Sequence, residues 1–205
     1  MPKKNKTRKV FKNDDYDSND GMLTTVWGPG MWHSLHTMSF NYPVNPSCDD
    51  KRHYQSFVLN LQYVLPCGKC RKNLVKNFKR LPLKWKNMES RDSFSRYVYK
   101  LHELINKMLH KNSGLSYEDV RERYEHFRSR CVKSLDEMKK EGEKGKKSKK
   151  KTLKNKTAVE EKGCTEPIYG EKSKCVLQIV PQTKKCDTFQ MDKKCIKRNL
   201  SVKNI

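Results

Sequence analysis

Between Val26 and Phe127 the apolar positions recur at helical spacing, and prolines and polar turns cut the run into five predicted helices. The first covers about residues 30–41, started by Gly28 and Pro29 and ended by Pro43. The second covers about residues 50–65, with Phe57, Val58, Leu61, Val64 and Leu65 at helical spacing and Asp49 or Asp50 as its cap. Pro66 restarts the chain, and Leu74, Val75 and Phe78 mark a third helix over about residues 67–79. Leu81-Pro82-Leu83 breaks the pattern. A long fourth helix follows over about residues 90–111, with Phe94, Val98, Leu101, Ile105 and Leu109 on one stripe, and Asn112-Ser113-Gly114 stops it. The fifth starts at Ser116, where Asp119 three positions on suggests a capping box, and runs to about Cys131.

Outside that run the pattern fades. Residues 1–20 are a polar arm, basic then acidic, and are expected to be disordered. Residues 133–162 are a Lys-rich linker. Residues 163–205 form a small Cys-containing appendage, with residues 174–180 and 185–191 as the candidate strands of a β-hairpin. The chain has 205 residues, of which 34% are hydrophobic and 34% charged, too polar for one packed globule over its whole length. The fold expected is therefore all-α: a four-helix bundle plus a short fifth helix within residues 21–132.

Formal net charge is +23, which invites thought of nucleic acid, anionic membrane or acidic partners. The charge is concentrated in the tails, and no aromatic residues interleave the main Lys run, so base stacking is not indicated. Nucleic acid is not an expected partner. No apolar run follows the basic N-terminus and none approaches the roughly 18 residues of a membrane span, so a cytoplasmic protein is expected.

Eight cysteines occur, and only Cys67 and Cys70 have CxxC spacing. They fall in the first turn of a predicted helix, where the partial positive charge of the helix end, joined by Lys69 and Arg71, favours thiolate over thiol. A thioredoxin would place such a pair after a strand; here a helix precedes it. A structural zinc needs about two further Cys or His ligands at compatible spacing, and no second CxxC exists. A redox dithiol needs an electron acceptor, and two segments suggest one. Trp32 and His36 share a face of the first helix, and His102 and Asn106 share a face of the fourth. Such groups line pockets for flat aromatic cofactors, with Lys107 and Lys111 available to neutralise a diphosphate. His33, His53, His110 and His126 read as surface residues, and Cys48 as an incidental loop thiol.

Together these segments resemble the Erv/ALR family of FAD-linked sulfhydryl oxidases. Gly28, Trp32 and His36 match its Gly-x-x-x-Trp-x-x-x-His pattern. Pro66, Cys67 and Cys70 match its Pro-Cys-x-x-Cys, and His102, Ile105 and Asn106 match its His-Asn-x-Val-Asn. Pro29 stands where cellular members carry Arg, Glu103 where they carry Asn, and Tyr99 where they carry a disulfide cysteine. These departures look like the branch found in large cytoplasmic DNA viruses, which would place the protein in host cytoplasm or virion.

The resemblance implies FAD held by Gly28, Trp32, His36, His102, Ile105, Asn106, Lys111 and an aromatic residue of the fifth helix, matched by Tyr124. It implies Cys67 and Cys70 as the catalytic pair, with no metal. Cys67 exchanges with thiols of substrate proteins, Cys70 passes electrons to FAD, and oxygen leaves as hydrogen peroxide. It also implies a homodimer. Cys164, Cys175, Cys186 and Cys195 are either shuttle thiols or staples of the appendage. The alternative of another class is a non-enzymatic thiol- or zinc-binding interaction module whose basic tails dock on nucleic acid.

Overall fold

In the computed structural model, residues 21–130, 166–168, 171, 173–186 and 190–195 are described. The arm over residues 1–20 and the linker over residues 133–162 lie outside them, as do Cys131 and Cys164. The chain divides into two compact units, with the division after Ser113.

The first unit contains four helices: α1 (Thr24–Asn41), α2 (Cys48–Val64), α3 (Gly68–Arg80) and α4 (Arg91–Met108). A short 3₁₀ turn, Trp85–Met88, precedes α4. Helix α1 packs on α4, and α2 on α3. Their apolar stripes meet in one core, where Val58, Phe94, Tyr97 and Val98 are each buried. Burying such a side chain contributes about 1.5–3 kcal/mol, so the stripes that predicted the helices also hold them together.

Two prolines set two of the helix ends. Tyr42 and Leu65 each precede a proline and turn to extended backbone, with ψ of 142° and 135°. The proline ring disfavours helical backbone in the residue before it, so α1 stops before Pro43 and α2 before Pro66. Tyr42 is fully buried, and its hydroxyl donates to the Met88 carbonyl at 2.9 Å. Burial pushes that hydroxyl's pKa up to about 12. Tyr97 likewise donates to the Leu81 carbonyl at 2.9 Å, tying the 81–83 break to α4.

Several boundaries differ from those expected. Helix α1 begins at Thr24, ahead of Gly30, and contains Pro29. Anchoring explains the extra turn: the Met22 N–H donates to the Pro66 carbonyl at 2.7 Å, and Trp27 Nε1 donates to the Met22 carbonyl at 3.0 Å. Ser47, and neither Asp49 nor Asp50, caps α2, with Asp50 returning the bond in a capping box. Cys48 is thus an exposed residue of the first turn of α2 and not of a loop. Helix α4 ends at Met108, short of Lys111, because His110 adopts a left-handed conformation (φ 54°).

The second unit holds α5 (Tyr117–Glu125) and a minimal ladder of β1 (Ser129–Arg130) on β2 (Glu166–Pro167), antiparallel. Ser116 and Asp119 form the expected capping box, and their hydrogen bonds hold the Asp119 carboxyl below its usual pKa. Helix α5 ends at Glu125, before the expected Cys131. His126 is buried at 7% exposure, against the surface position expected. Residues 174–180 are irregular and form no strand. Val176, Leu177 and Ile179 there are each about two-thirds or more exposed (74%, 73%, 68%), so that segment has apolar residues but, among the described residues, no layer to bury them against. Of the second candidate strand, residues 185–186 and 190–191 are also irregular, and residues 187–189 lie outside the described set.

Candidate functional site

Cys67 is the N-cap of α3, and the two cysteines form a disulfide. The extended backbone of Cys67 (φ −157°) turns its sulfur back over the helix end, where the Cys70 N–H donates to Cys67 Sγ at 3.1 Å. A sulfur here replaces the usual capping oxygen, so the unpaired N–H groups of the first turn face a thiolate whenever the bond opens. Arg71 donates through Nη1 to the Leu65 carbonyl at 2.5 Å, fixing the turn that leads into the pair. Cys67 is buried, and Cys70 is half-buried.

The segment before α1 covers this turn. Gly21 has φ +75°, and a Cβ there would stand 2.4 Å from the Pro66 carbonyl oxygen. Only glycine fits both the backbone and the space. Three residues on, Thr24 brings Oγ1 to 3.5 Å from Cys70 Sγ. Sequence reasoning missed both residues, since contacts between residues so far apart along the chain leave no local signal.

Two turns along α1, Trp32 stacks on His102 of α4, with ring centroids 3.9 Å apart and planes within 6°. His36 Nε2 and His102 Nδ1 share a hydrogen bond at 3.0 Å. Burial lowers the His36 pKa to about 3, helped by His102 and His33. Burial likewise lowers His102 to about 4, with Glu103 opposing and Lys111 assisting. Both rings are therefore neutral at pH near 7, and one donates while the other accepts.

Asn106 is held from its own helix. Its Nδ2 donates to Glu103 Oε1 at 3.0 Å, and Ser113 Oγ donates to the same oxygen at 2.8 Å. Glu103 thus positions Asn106 and the chain leaving α4; the i,i+3 spacing was the available signal. The helix end is closed by Lys111 N–H to the Asn106 carbonyl (2.9 Å) and His110 N–H to the Lys107 carbonyl (3.2 Å). This 6→1 and 5→2 pair is a Schellman cap with His110 at the left-handed position. It sets Lys111 beside an open groove shared with Arg80, Lys100, Glu103 and Lys107.

The structure therefore gathers Trp32, His36, His102 and Asn106 onto facing α1 and α4, with Lys111 at the end of α4. Gly28 is buried within α1, and a Cβ there would meet Thr24 Cγ2 at an ordinary van der Waals distance of 3.4 Å. Ile105 packs against the core. Tyr124 belongs to the second unit, where its ring meets Phe127 edge-on at 5.8 Å and burial raises its hydroxyl pKa. Among the described residues, no cluster of three or more His, Cys, Asp or Glu is arranged to hold a metal ion. Nor is any helix among them long and apolar enough to cross a membrane.

A helical bundle with a disulfide at one helix N-terminus and a neutral indole–imidazole cluster on the adjoining pair defines a class of dithiol/disulfide module unrelated to thioredoxin, whose reactive pair follows a strand. Residues 29–125 match the sequence profile of the Erv1/Alr family. A probable FAD-linked sulfhydryl oxidase of Acanthamoeba polyphaga mimivirus is 34% identical over 85 residues, covering 42% of this chain and 59% of that protein. The FAD-linked sulfhydryl oxidase of African swine fever virus is 27% identical over 99 residues, covering 48% of this chain and 80% of that protein. The mitochondrial FAD-linked sulfhydryl oxidase ERV1 of Saccharomyces cerevisiae is 27% identical over 84 residues, covering 41% of this chain and 43% of that protein. The chain thus spans less than two thirds of the mimivirus and yeast relatives. The crystal structure of the yeast Erv1 core superposes with a TM-score of 0.46 at 24% identity, covering 60% of this chain and 94% of that one.

Proposed function

We propose that this chain is an FAD-dependent thiol oxidase that forms disulfide bonds in substrate proteins and delivers the electrons to oxygen. The observation that carries the proposal is that one helix, α1, serves both halves of such a reaction. Thr24 touches Cys70, and Trp32, eight residues and about 12 Å further along the helix, stacks on His102.

The residues present fit the cofactor. Trp32 and His102 offer flat aromatic faces, and His36 and Asn106 offer neutral polar edges. Lys111 and Lys107, with Arg80 and Lys100 in the same groove, supply cations for a diphosphate. Gly28 completes the proposed set within the first unit. Bound there, FAD would supply a two-electron acceptor that oxygen can reoxidise.

The chain's own part is thiol–disulfide exchange. A substrate thiolate attacks Cys67 Sγ, a substrate–Cys67 disulfide forms, and the Cys67–Cys70 bond breaks with its electron pair on Cys70. A second substrate thiolate then releases the oxidised product and leaves Cys67 reduced. The N-terminus of α3 stabilises negative charge as the sulfurs open. In the oxidised state described here neither sulfur is a thiolate, so the pair offers no zinc-binding dithiol. A homodimer forms part of the same proposal, supported by Phe57, Tyr63 and Val64, which leave apolar surface exposed on α2.

The test is an absorbance spectrum of the purified full chain, followed by oxygen consumption with dithiothreitol. Flavin absorbance that bleaches with the dithiol, and turnover abolished by either Cys67→Ser or Cys70→Ser, is the expected result. His102→Ala should lose FAD while keeping its far-ultraviolet circular dichroism. Colourless protein with stoichiometric zinc would establish the interaction module instead.

A further inference from the structure

A CxxC pair at a helix N-terminus is served unequally by its helix. The first sulfur caps the helix and collects its N–H groups; here Cys67 Sγ receives the Cys70 N–H at 3.1 Å. The second sulfur sits inside the first turn, on the side wall of the helix, and receives none of them. In this chain another helix reaches it. Thr24 Oγ1 lies 3.5 Å from Cys70 Sγ. A disulfide sulfur carries no proton, so the hydroxyl is the donor and the sulfur the acceptor.

The contact is held from several directions. Gly21 is pressed against Pro66 and the Cys67 Cα, and the Met22 N–H is bonded to the Pro66 carbonyl. Trp27 Nε1 holds the Met22 carbonyl. On the far side, Thr24 Cγ2 lies over Gly28, 3.4 Å from where a Cβ would stand, an ordinary van der Waals distance. The Gly21–Thr24 segment is therefore fastened to the very turn that carries the disulfide, and the hydroxyl is aimed before any bond is broken.

We infer that Thr24 is the hydrogen-bond donor to the leaving sulfur of the exchange reaction. The inference rests on the dithiol exchange proposed above. When a substrate thiolate attacks Cys67 Sγ, the substrate–Cys67 bond forms and the Cys67–Cys70 bond breaks. The departing electron pair resides on Cys70 as a thiolate, the charge that the Thr24 hydroxyl meets. Exchange rates rise as the leaving thiol's pKa falls, and a hydrogen bond to a charged group favours the charged form. The pair thereby gains a donor for each sulfur: a backbone N–H for Cys67 and a side-chain hydroxyl for Cys70.

The experiment reads the Cys70 thiol directly and does not need turnover. In the full chain carrying Cys67→Ser, iodoacetamide labelling of the Cys70 peptide is followed by mass spectrometry across pH, with Cys48 as internal reference. Adding Thr24→Val or Thr24→Ala should raise the Cys70 midpoint by about one unit, a roughly tenfold smaller thiolate ratio at a given pH. Thr24→Ser should keep the midpoint, and Cys48 should not respond to any of the three. A Cys70 midpoint unmoved by both Val and Ala, or moved equally by Ser, overturns the assignment. A wild-type chain that consumes no oxygen would instead overturn the oxidase proposal, and the labelling midpoints would still decide the role of Thr24.

Discussion

The neutral imidazole pair makes a quantitative statement about acid stability. His36 and His102 are held at pKa values of about 3 and about 4, against 6.5 for an ordinary histidine, chiefly because burial penalises the charged ring. The folded state therefore binds fewer protons than the unfolded chain once pH drops below the ordinary value. The stability tied to the pair is complete above that value and is lost progressively as pH falls toward the folded values. At about pH 5 an unfolded imidazole favours its protonated form roughly thirtyfold, which by linkage costs about 2 kcal/mol per ring, or about 4 kcal/mol for the pair. Urea unfolding of the oxidised full chain at about pH 8 and about pH 5, followed by circular dichroism, measures the loss. His102→Gln should shrink the difference between the two pH values by about 2 kcal/mol. The His36–His102 hydrogen bond is missing from that variant at both pH values and cancels in the difference. Exposed carboxylates such as Asp50 and Asp119 titrate alike in both proteins and cancel too. An equal acid loss in wild type and His102→Gln would refute the claim that burial keeps these rings neutral.

Three other substitutions test the frame around the site. His110→Gly should raise stability by about 1 kcal/mol, because glycine enters the left-handed position of the α4 cap without the cost that a Cβ imposes; an unchanged or lower thermal midpoint contradicts it. Gly21→Ala places a Cβ 2.4 Å from the Pro66 carbonyl oxygen, and should speed reduction of the Cys67–Cys70 disulfide by a small thiol as the covering segment lifts; an unchanged reduction rate counts against it. Tyr97→Phe leaves the Leu81 carbonyl without its donor and should cost about 1 kcal/mol in urea unfolding; a neutral change would mean that the hydroxyl bond carries no net stability.

What the sequence disclosed and what it hid divide along a physical line. Pro43 and Pro66 end α1 and α2 because proline acts on the residue beside it, so one-dimensional reading suffices. Ser116 with Asp119 is likewise a local device and was legible. Trp32 with His36 and His102 with Asn106 could be placed on helix faces, though their meeting across α1 and α4 rests on tertiary packing. The start of α1 was hidden, because the bonds that add its first turn join Met22 to Pro66. The N-cap role of Ser47 lost out to its acidic neighbours, although Ser47 and Asp50 bond each other's backbone N–H groups. Residues 174–180 misled in the opposite way: their β-branched and apolar residues suggested a strand, but no layer among the described residues covers them.

The charge of the site follows from the same packing. An imidazole buried between α1 and α4 cannot also serve as a cation at neutral pH, so His36 and His102 are fit for stacking and neutral hydrogen bonding only. Positive charge is supplied by Lys100, Lys107 and Lys111 with Arg80, all lining one open groove. Glu103 faces both regions, raising the pKa of His102 while its oxygen fixes Asn106 and Ser113. A carboxylate beside a basic groove has donors of its own here, Asn106 Nδ2 and Ser113 Oγ. The amide that this sequence lacks at position 103 could supply donors of its own; the carboxylate that replaces it only accepts. Its consequence is an Asn106 held within its own helix through its amide N–H.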